Sequence, residues 1–370
     1  MASKRVKIGI FSDIYTASTG FAVVCRNLAK QLAIYPDVEV ISFGRFGCDK
    51  EFTEPEIVDN HMGVRTQGGV WDRELVIRII KKHNLDVVFV EDDWFSIKGI
   101  LQATKFWEKK FAWLSPVDSY PVHNDGLKYM KVANKLFVPT NGAKTYLKGQ
   151  GVNSIYLPHG VRTDVFKPMA VDREDTYTFV WIGRDDNRKA LGRTILAYEQ
   201  FLKMGGKAFL LVRADWTTPN AERTYVYIKY RNLPVIVEQM QDIPHDELAK
   251  TYNRGDCYIC SSKAGGFELG IIEANACGLP ALVTDHTFMN ELVVQAKSGW
   301  RIPIEKITKS QYGSYWGNID VAKLAERMMF MSKNPDYTKQ MGLYAIQHVK
   351  QNYTWNNAGQ ILHNELTKCD

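Results

Sequence analysis

Two stretches of this chain carry residue types, at spacings suited to binding an anion. The first is Ser261–Pro280, SSKAGGFELGIIEANACGLP. It leaves a strand pattern, passes Gly265, Gly266 and Gly270, and opens a helical pattern that carries Glu273. Glycines let the backbone approach a ligand, and a helix start offers unpaired N–H groups and a partial positive charge. A diphosphate suits such a place. Glu273, within the opening turns of the helix, is suited to accept hydrogen bonds from ligand hydroxyls. Phosphate with hydroxyls points to a nucleotide or a nucleotide sugar.

The second stretch is Gly183 to Lys189, GRDDNRK, between the strand pattern YTFVWI and a helical pattern. Arginine presents a planar fork of donors and lysine a point charge, so Arg184 and Lys189 suit a diphosphate. In a transfer reaction such cations stabilise charge building on the leaving phosphate. A solvated basic turn is the other reading, and both stand open.

Further loops add weaker signals. Asp13 to Phe21, with Tyr15 and Gly20, is a small-residue loop between a strand and a helix, where backbone N–H groups can meet phosphate or sugar. It lacks a full dinucleotide fingerprint, and no acid ends the second strand, ISFGRF. Glu91, Asp92 and Asp93 close the strand DVVFV; acids so crowded need solvent, cations or a hydroxyl-rich ligand to compensate them. They read as sugar or acceptor binders, or as acids at the N-terminus of a following helix. Asp118, after Ser115-Pro116-Val117, reads as a hydrogen-bond acceptor for a sugar or acceptor hydroxyl, or as the cap of a proline-bounded turn. Cys257-Tyr258-Ile259-Cys260 is not a metal pair: in a strand, side chains three apart face opposite sides. His61, His83 and His245 read as surface residues, whereas His159 sits in the hinge-like Pro158-His159-Gly160-Val161. The basic aromatic run Lys98–Phe111 reads as a sheet-covering helix, with a membrane-surface helix as the alternative.

The elements that must position these residues alternate in type. Strand patterns fit Val6–Ser12, Val38–Phe43, Asp86–Val90, Phe111–Pro116, Lys135–Pro139 and Ser154–Leu157, with helical patterns at Gly20–Ala33 and 72–83 between them. The theme repeats with strands at Tyr177–Ile182, Ala208–Val212, Pro234–Glu238, Cys257–Ser261 and Ala281–Thr284, and helices at 190–203, 244–254 and 268–277. This alternation predicts an α/β chain of two Rossmann-like, doubly wound domains facing across a cleft, with Asp118 pointing into it. The charged segment Arg162–Thr176, with Pro168, reads as the linker.

The 370 residues suit two domains, and 45% hydrophobic with 24% charged residues is an ordinary globular composition. No apolar run is long enough for a membrane span. The opening MASKRVKIGIFSD runs straight into a strand pattern, which argues against a secretory signal. Six cysteines do not make a disulfide framework, and a cytoplasmic location is expected, with a peripheral membrane association left open. The net charge of +6 is uneven: residues 1–170 hold 23 Lys and Arg against 18 Asp and Glu, and residues 171–370 hold 24 against 23. This mildly favours an anionic acceptor or a membrane surface on the N-terminal half, beside the plain reading of a basic soluble surface.

Together, in this order, these pieces resemble the retaining glycosyltransferases of the GT-B fold, the large family that includes bacterial mannosyltransferases and sucrose synthase. The strongest part is Asp242–Val293, and Pro158–Pro168 (PHGVRTDVFKP) is similar to the family's interdomain signature. The resemblance implies an N-terminal acceptor domain over 1–168, rejoined by a last helix at about 352–370 that opens at Tyr353-Thr354-Trp355, and a donor domain over 169–351. It implies a hexose moved from a UDP- or GDP-sugar to an acceptor hydroxyl, with no cofactor and no metal required. The acceptor is left open among glycan, lipid, protein and modified nucleic acid.

The family pattern assigns the diphosphate to Arg184 and Lys189, with Gly183 beside them, and the ribose hydroxyls to Glu273. The backbone of Gly266, Phe267, Glu268, Leu269 and Gly270 would contact sugar hydroxyls and phosphate, and the loop from Met240 to Ile243 would border the base. Asp118 falls beside the position of a common His-Asp pair near the reacting sugar. Retention would follow from same-face attack assisted by the leaving phosphate.

Two departures stand out. Gly265 occupies the place of a common glutamate, with Glu268 three residues later where the family has glycine, a partial replacement for it. Val117 stands where a histidine precedes Asp118. These departures bear on sugar choice or mechanism. They also keep in play a nucleotide-sugar-binding protein without transferase activity; a nucleotide-sugar epimerase of similar fold is a second rival.

Overall fold

The computed structural model describes residues 5–48, 53–240 and 243–368. The chain forms two compact units. One comprises residues 1–117, 122–160 and 355–370; the other comprises 118–121 and 161–354.

The first unit is built on an eight-stranded sheet. Its elements are β1 (Val6–Asp13), α1 (Gly20–Leu32), β2 (Val38–Arg45), β3 (Glu56–Val58), β4 (His61–Arg65), α2 (Arg73–His83), β5 (Val87–Glu91), α3 (Lys98–Phe106), β6 (Lys110–Leu114), α4 (Asn124–Val132), β7 (Lys135–Val138), α5 (Asn141–Gly149) and β8 (Ile155–Tyr156). The strand order is β3-β4-β2-β1-β5-β6-β7-β8, and all pairs are parallel except β3 with β4. Winding therefore runs one way from β1 to β2 and the other way from β5 to β8. The reversal lies between β1 and β5, where loops diverge and leave a crevice at the carboxyl ends of the strands.

The second unit holds β9 (Thr178–Gly183), α6 (Leu191–Lys203), β10 (Phe209–Ala214), α7 (Pro219–Tyr230), β11 (Val235–Gln239), α8 (His245–Asn253), β12 (Cys257–Cys260), α9 (Leu269–Ala276), β13 (Ala281–Thr284), β14 (Gly299–Ile302), β15 (Ile304–Lys309), β16 (Tyr315–Ile319), α10 (Val321–Lys333) and α11 (Pro335–Asn352). Its six-stranded parallel sheet has the order β11-β10-β9-β12-β13-β14, so winding reverses between β9 and β12. The strands β15 and β16 form a separate antiparallel hairpin. The last helix, α12 (Trp355–Thr367), packs on α1 in the first unit.

Local chemistry explains these elements. The central strands are apolar runs buried along their whole length, as in β9 (TFVWIG) and β5 (VVFVE), because helices cover both faces of a parallel sheet. Asp72 starts α2 by accepting from the N–H groups of Glu74 and Leu75, and Thr218 starts α7 ahead of a proline. Asn84 ends α2 in the left-handed conformation that asparagine tolerates. Lys98–Phe106 buries Ile100, Ala103 and Thr104 and packs against α2 and β6, so it is a sheet-covering helix. His61 is buried, 3.0 Å from Ser42 Oγ, and is not the surface residue expected; burial lowers its pKa to about 4. No helix among the described residues is long and apolar enough to cross a membrane.

The C-terminal end of α9 is held at close range by α11. A Cβ on Gly342 would land against the carbonyl oxygen of Gly278. Backbone cannot retreat as a side chain can, so Gly342→Ala is expected to cost roughly 1–3 kcal/mol as overpacking, measured by urea unfolding.

Candidate functional site

In the second unit the reversal between β9 and β12 brings together the two stretches singled out in the sequence. The loop after β9 carries Arg184 to Ala190, and the loop after β12 carries Ser261 to Glu268. Main chain ties them: Lys263 N–H donates to the Arg188 carbonyl at 2.7 Å, and Ser261 Oγ donates to the Lys189 carbonyl at 3.0 Å. Asp186 shapes the first loop, its Oδ1 accepting from the N–H groups of Arg188 (2.9 Å) and Lys189 (2.8 Å).

Glu268 joins the loops by charge. Its Oε1 accepts from Arg188 Nη1 at 2.8 Å and its Oε2 pairs with Lys189 Nζ, while the carboxylate side chain is only 9% exposed. Burial pushes the Glu268 pKa up, but Lys189 and Arg188 outweigh it and hold the group at about 2. Arg188 also donates to the Ala264 carbonyl at 2.7 Å. Its guanidinium stays firmly charged, because Glu268, Asp118 and Asp186 together overcome the penalty of burial. Asp118 joins this side of the site. Segment 118–121 belongs to the second unit, where Tyr315 N–H donates to the Tyr120 carbonyl at 2.8 Å. Ser119 Oγ lies 3.0 Å from Asp118 Oδ1 and 2.8 Å from Ser314 Oγ. Burial raises the Asp118 pKa, opposed by Arg188 and Ser119.

Glu273 is buried in α9 and accepts from the Tyr252 hydroxyl at 3.0 Å. Burial raises its pKa to about 7, with the Tyr252 hydrogen bond and the Lys189 charge opposing the rise. Gly270 admits the tyrosines behind it: a Cβ there would lie 2.6 Å from the Tyr258 hydroxyl oxygen and 3.2 Å from that of Tyr252. The Gly265 N–H is already engaged, donating to Thr287 Oγ1 at 3.1 Å. Gly266 precedes Phe267, which packs on Tyr353, and Leu269 follows Glu268. Gly183 ends β9. Arg184 stands apart from the buried cluster, its side chain 69% exposed and 3.8 Å from Asp186. Met240 packs on the core beside Ile236, and Ile243 precedes α8; Gln241 and Asp242 of that loop lie outside the described residues.

The first unit gathers its acids around a cation that the sequence pattern did not single out. Arg45, at the end of β2, donates from Nε to Asp13 Oδ1 at 2.9 Å and forms an ion pair with Asp92, Nη1 to Oδ2 at 2.8 Å. For Asp92 the compensation is therefore internal. Asp13 also accepts from Thr19 Oγ1, the N-cap of α1, just ahead of Gly20. Glu91 is 2% exposed and its pKa is raised well above the usual range by burial, with the neighbouring acids adding to the rise. It sits 3.5 Å from His159 Nε2, and burial holds that imidazole neutral, with a pKa of about 3. Tyr15 is buried, and its hydroxyl donates to Glu56. The acids Glu91, Asp92 and Asp93 do not cap a helix, because α3 begins only at Lys98 with no acid in its first turn. No group of three or more His, Cys, Asp or Glu among the described residues is arranged to hold a metal ion.

These two sheets define a GT-B architecture. Over 98% of each chain, the structure is similar to sucrose-phosphate synthase from Thermosynechococcus elongatus, with a TM-score of 0.80 and 18% identity. It is similar to Anabaena HepE in complex with UDP-glucose over 98% of this chain and 100% of that one, with a TM-score of 0.75 and 12% identity. Residues 165–312 match the family model for glycosyl transferases group 1, which spans both loops of the site. A segment of 89 residues is 28% identical to sucrose synthase of Solanum tuberosum; it makes up 24% of this chain and 10% of the potato protein. The resemblance to GT-B-fold glycosyltransferases read from the sequence thus holds.

Two outcomes follow from the electrostatics. Unfolded, Glu273 ionises near the ordinary carboxyl value; folded, at about 7. Between those values the folded state holds the extra proton, so rising pH costs stability until the loss is complete above the folded value. Glu273→Gln is expected to stabilise the protein at pH 8 by on the order of 2 kcal/mol and to have little effect at pH 5, by urea unfolding at both. Arg45→Ala strands Asp92, whose side chain is 1% exposed, and should cost about 3 kcal/mol in the same assay.

Proposed function

We propose that this protein is a glycosyltransferase that moves a hexose from a nucleoside-diphosphate sugar to an acceptor hydroxyl with retention of configuration. The observation that carries the reading is the meeting of Arg188, Lys189 and Glu273 at the point where the second sheet reverses its winding. That is where an open α/β sheet accepts a ligand, and the cations and the carboxyl match a diphosphate and hydroxyls. The match of residues 165–312 to the glycosyl transferases group 1 model supports it.

In this reading Lys189 holds the diphosphate, Arg184 reaches it from the exposed part of the same turn, and Glu273 binds the ribose. The bond between the sugar C1 and the phosphate oxygen breaks as the acceptor oxygen approaches the same face of C1. Charge grows on the leaving diphosphate, and the cations of the turn stabilise it. The acceptor's proton passes to the departing phosphate oxygen, which closes the balance. Asp118 is the candidate to position the reacting sugar, and its neighbour Arg188 keeps a compensating charge beside it. UDP-glucose is the first donor to test, because the similar HepE structure holds it.

Release of UDP or GDP is measured from UDP-glucose and from GDP-mannose, with and without added acceptors. Lys189→Ala is expected to lower kcat/KM at least about a hundredfold, or ~2.7 kcal/mol of transition-state stabilisation. Tight donor binding without any turnover by the native protein overturns the reading in favour of a binding protein. Release of a free sugar epimer without acceptor favours an epimerase. The anomeric configuration of the product, read by NMR, tests retention.

A further inference from the structure

Residue 268 holds an unusual backbone position. Glu268 has φ of 72° and ψ of 80°, in the left-handed region that costs a side-chain-bearing residue and suits glycine. Gly265, three residues earlier, carries no side chain in a fully buried stretch. The two facts are linked in space. A Cβ built on Gly265 would lie 2.7 Å from Glu268 Cγ and 2.8 Å from its Oε1. The Glu268 side chain therefore folds back and fills the room that a side chain on residue 265 would take. Its carboxylate ends between Arg188 and Lys189, one oxygen on each.

We propose that Glu268 is the positioning residue of this site: its carboxylate, delivered through the space above Gly265, sets the places of Arg188 and Lys189. What the site requires is the carboxylate at that point in space, and the same charge carried on residue 265 meets the requirement. The left-handed backbone at 268 and the side chain turned back over 265 then belong to one arrangement. The two cations follow each other directly in sequence, and adjacent side chains do not converge unless something between them holds both. Glu268 does so, and it fixes how much positive charge Lys189 presents to an incoming phosphate. The inference rests on the donor-site reading above for its catalytic consequence, but not for the placement of the carboxylate.

The test moves the carboxylate. Four variants are compared with the native protein: Glu268→Gln, Glu268→Gly, Gly265→Glu, and the double variant Gly265→Glu with Glu268→Gly. Three readouts are used: UDP binding by calorimetry, turnover of UDP-glucose, and acetylation of Lys189 by acetic anhydride followed by mass spectrometry. Removing the carboxylate is expected to raise Lys189 acetylation several-fold and to lower turnover at least tenfold in Glu268→Gln and Glu268→Gly alike. Thermal denaturation should show Glu268→Gly folded, because glycine suits that backbone. Gly265→Glu alone crowds two carboxylates into one space and should impair turnover. The double variant is expected to return acetylation and turnover to within about threefold of the native protein. A double variant no better than Glu268→Gly in Lys189 protection overturns the inference, as does native-like Lys189 protection in Glu268→Gln. If protection follows the carboxylate but the native protein neither binds UDP nor consumes UDP-glucose, the carboxylate's role stands and the donor reading falls for that nucleotide.

Discussion

A parallel sheet can reverse its winding at only one place, and both sheets of this protein depend on that constraint. Where neighbouring strands send their chains to opposite faces, the loops at their carboxyl ends part and leave polar backbone without a covering helix. In the second unit the strands at that place are β9 and β12, and their loops carry Arg188, Lys189, Glu268 and the helix of Glu273. In the first unit they are β1 and β5; Asp13 ends β1, and the loop after β5 carries Asp92 and Asp93. The chemistry of each unit is concentrated at this edge because the strands behind it are mostly apolar and their polar residues, such as Asp13 and Glu91, stand at the carboxyl ends.

Both edges then face the same electrostatic problem, and they solve it with opposite signs. Buried charge is tolerated only when paired. The first unit sets one arginine between two aspartates; the second sets one glutamate between an arginine and a lysine. In the second unit Asp118 and Asp186 add their charges beside Arg188. Glu91 and Glu273 lie outside these pairings, and burial raises the pKa of both. Glu273 is thereby poised near neutrality, able to offer either a donor or an acceptor to a ligand hydroxyl.

The central strands were legible in the sequence because full burial writes them as short, unbroken apolar runs. Val38–Arg45, Thr178–Gly183 and Ala281–Thr284 fall where that pattern puts them, within two residues. The edge strand Glu56–Val58 and the hairpin β15–β16 were not legible, since both are partly exposed and lack the signature of burial; His61–Arg65, though mostly buried between β3 and β2, is short and broken by Gly63. At the site, residue type and strand-end position marked Lys189, Glu273 and Asp118. They did not mark Arg45, because a cation two residues past the apolar run Val38–Phe43 reads as a solvated end. Nor did they mark the convergence of Arg188 on Glu268, which depends on a left-handed backbone that no local pattern announces for glutamate. The buried state of His61 was hidden for a similar reason: its partner Ser42 is 19 positions away.

One modest contact has a wider consequence. The bond from Lys263 N–H to the Arg188 carbonyl joins the two loops through main chain alone. That bond needs neither side chain, so it survives a change of residue type at 188 or 263, whereas the ties through Ser261 and Glu268 depend on their side chains. The gap between the loops thus has one strut of backbone beside several of side chain, and a substitution at the site loosens the second kind while leaving the first in place.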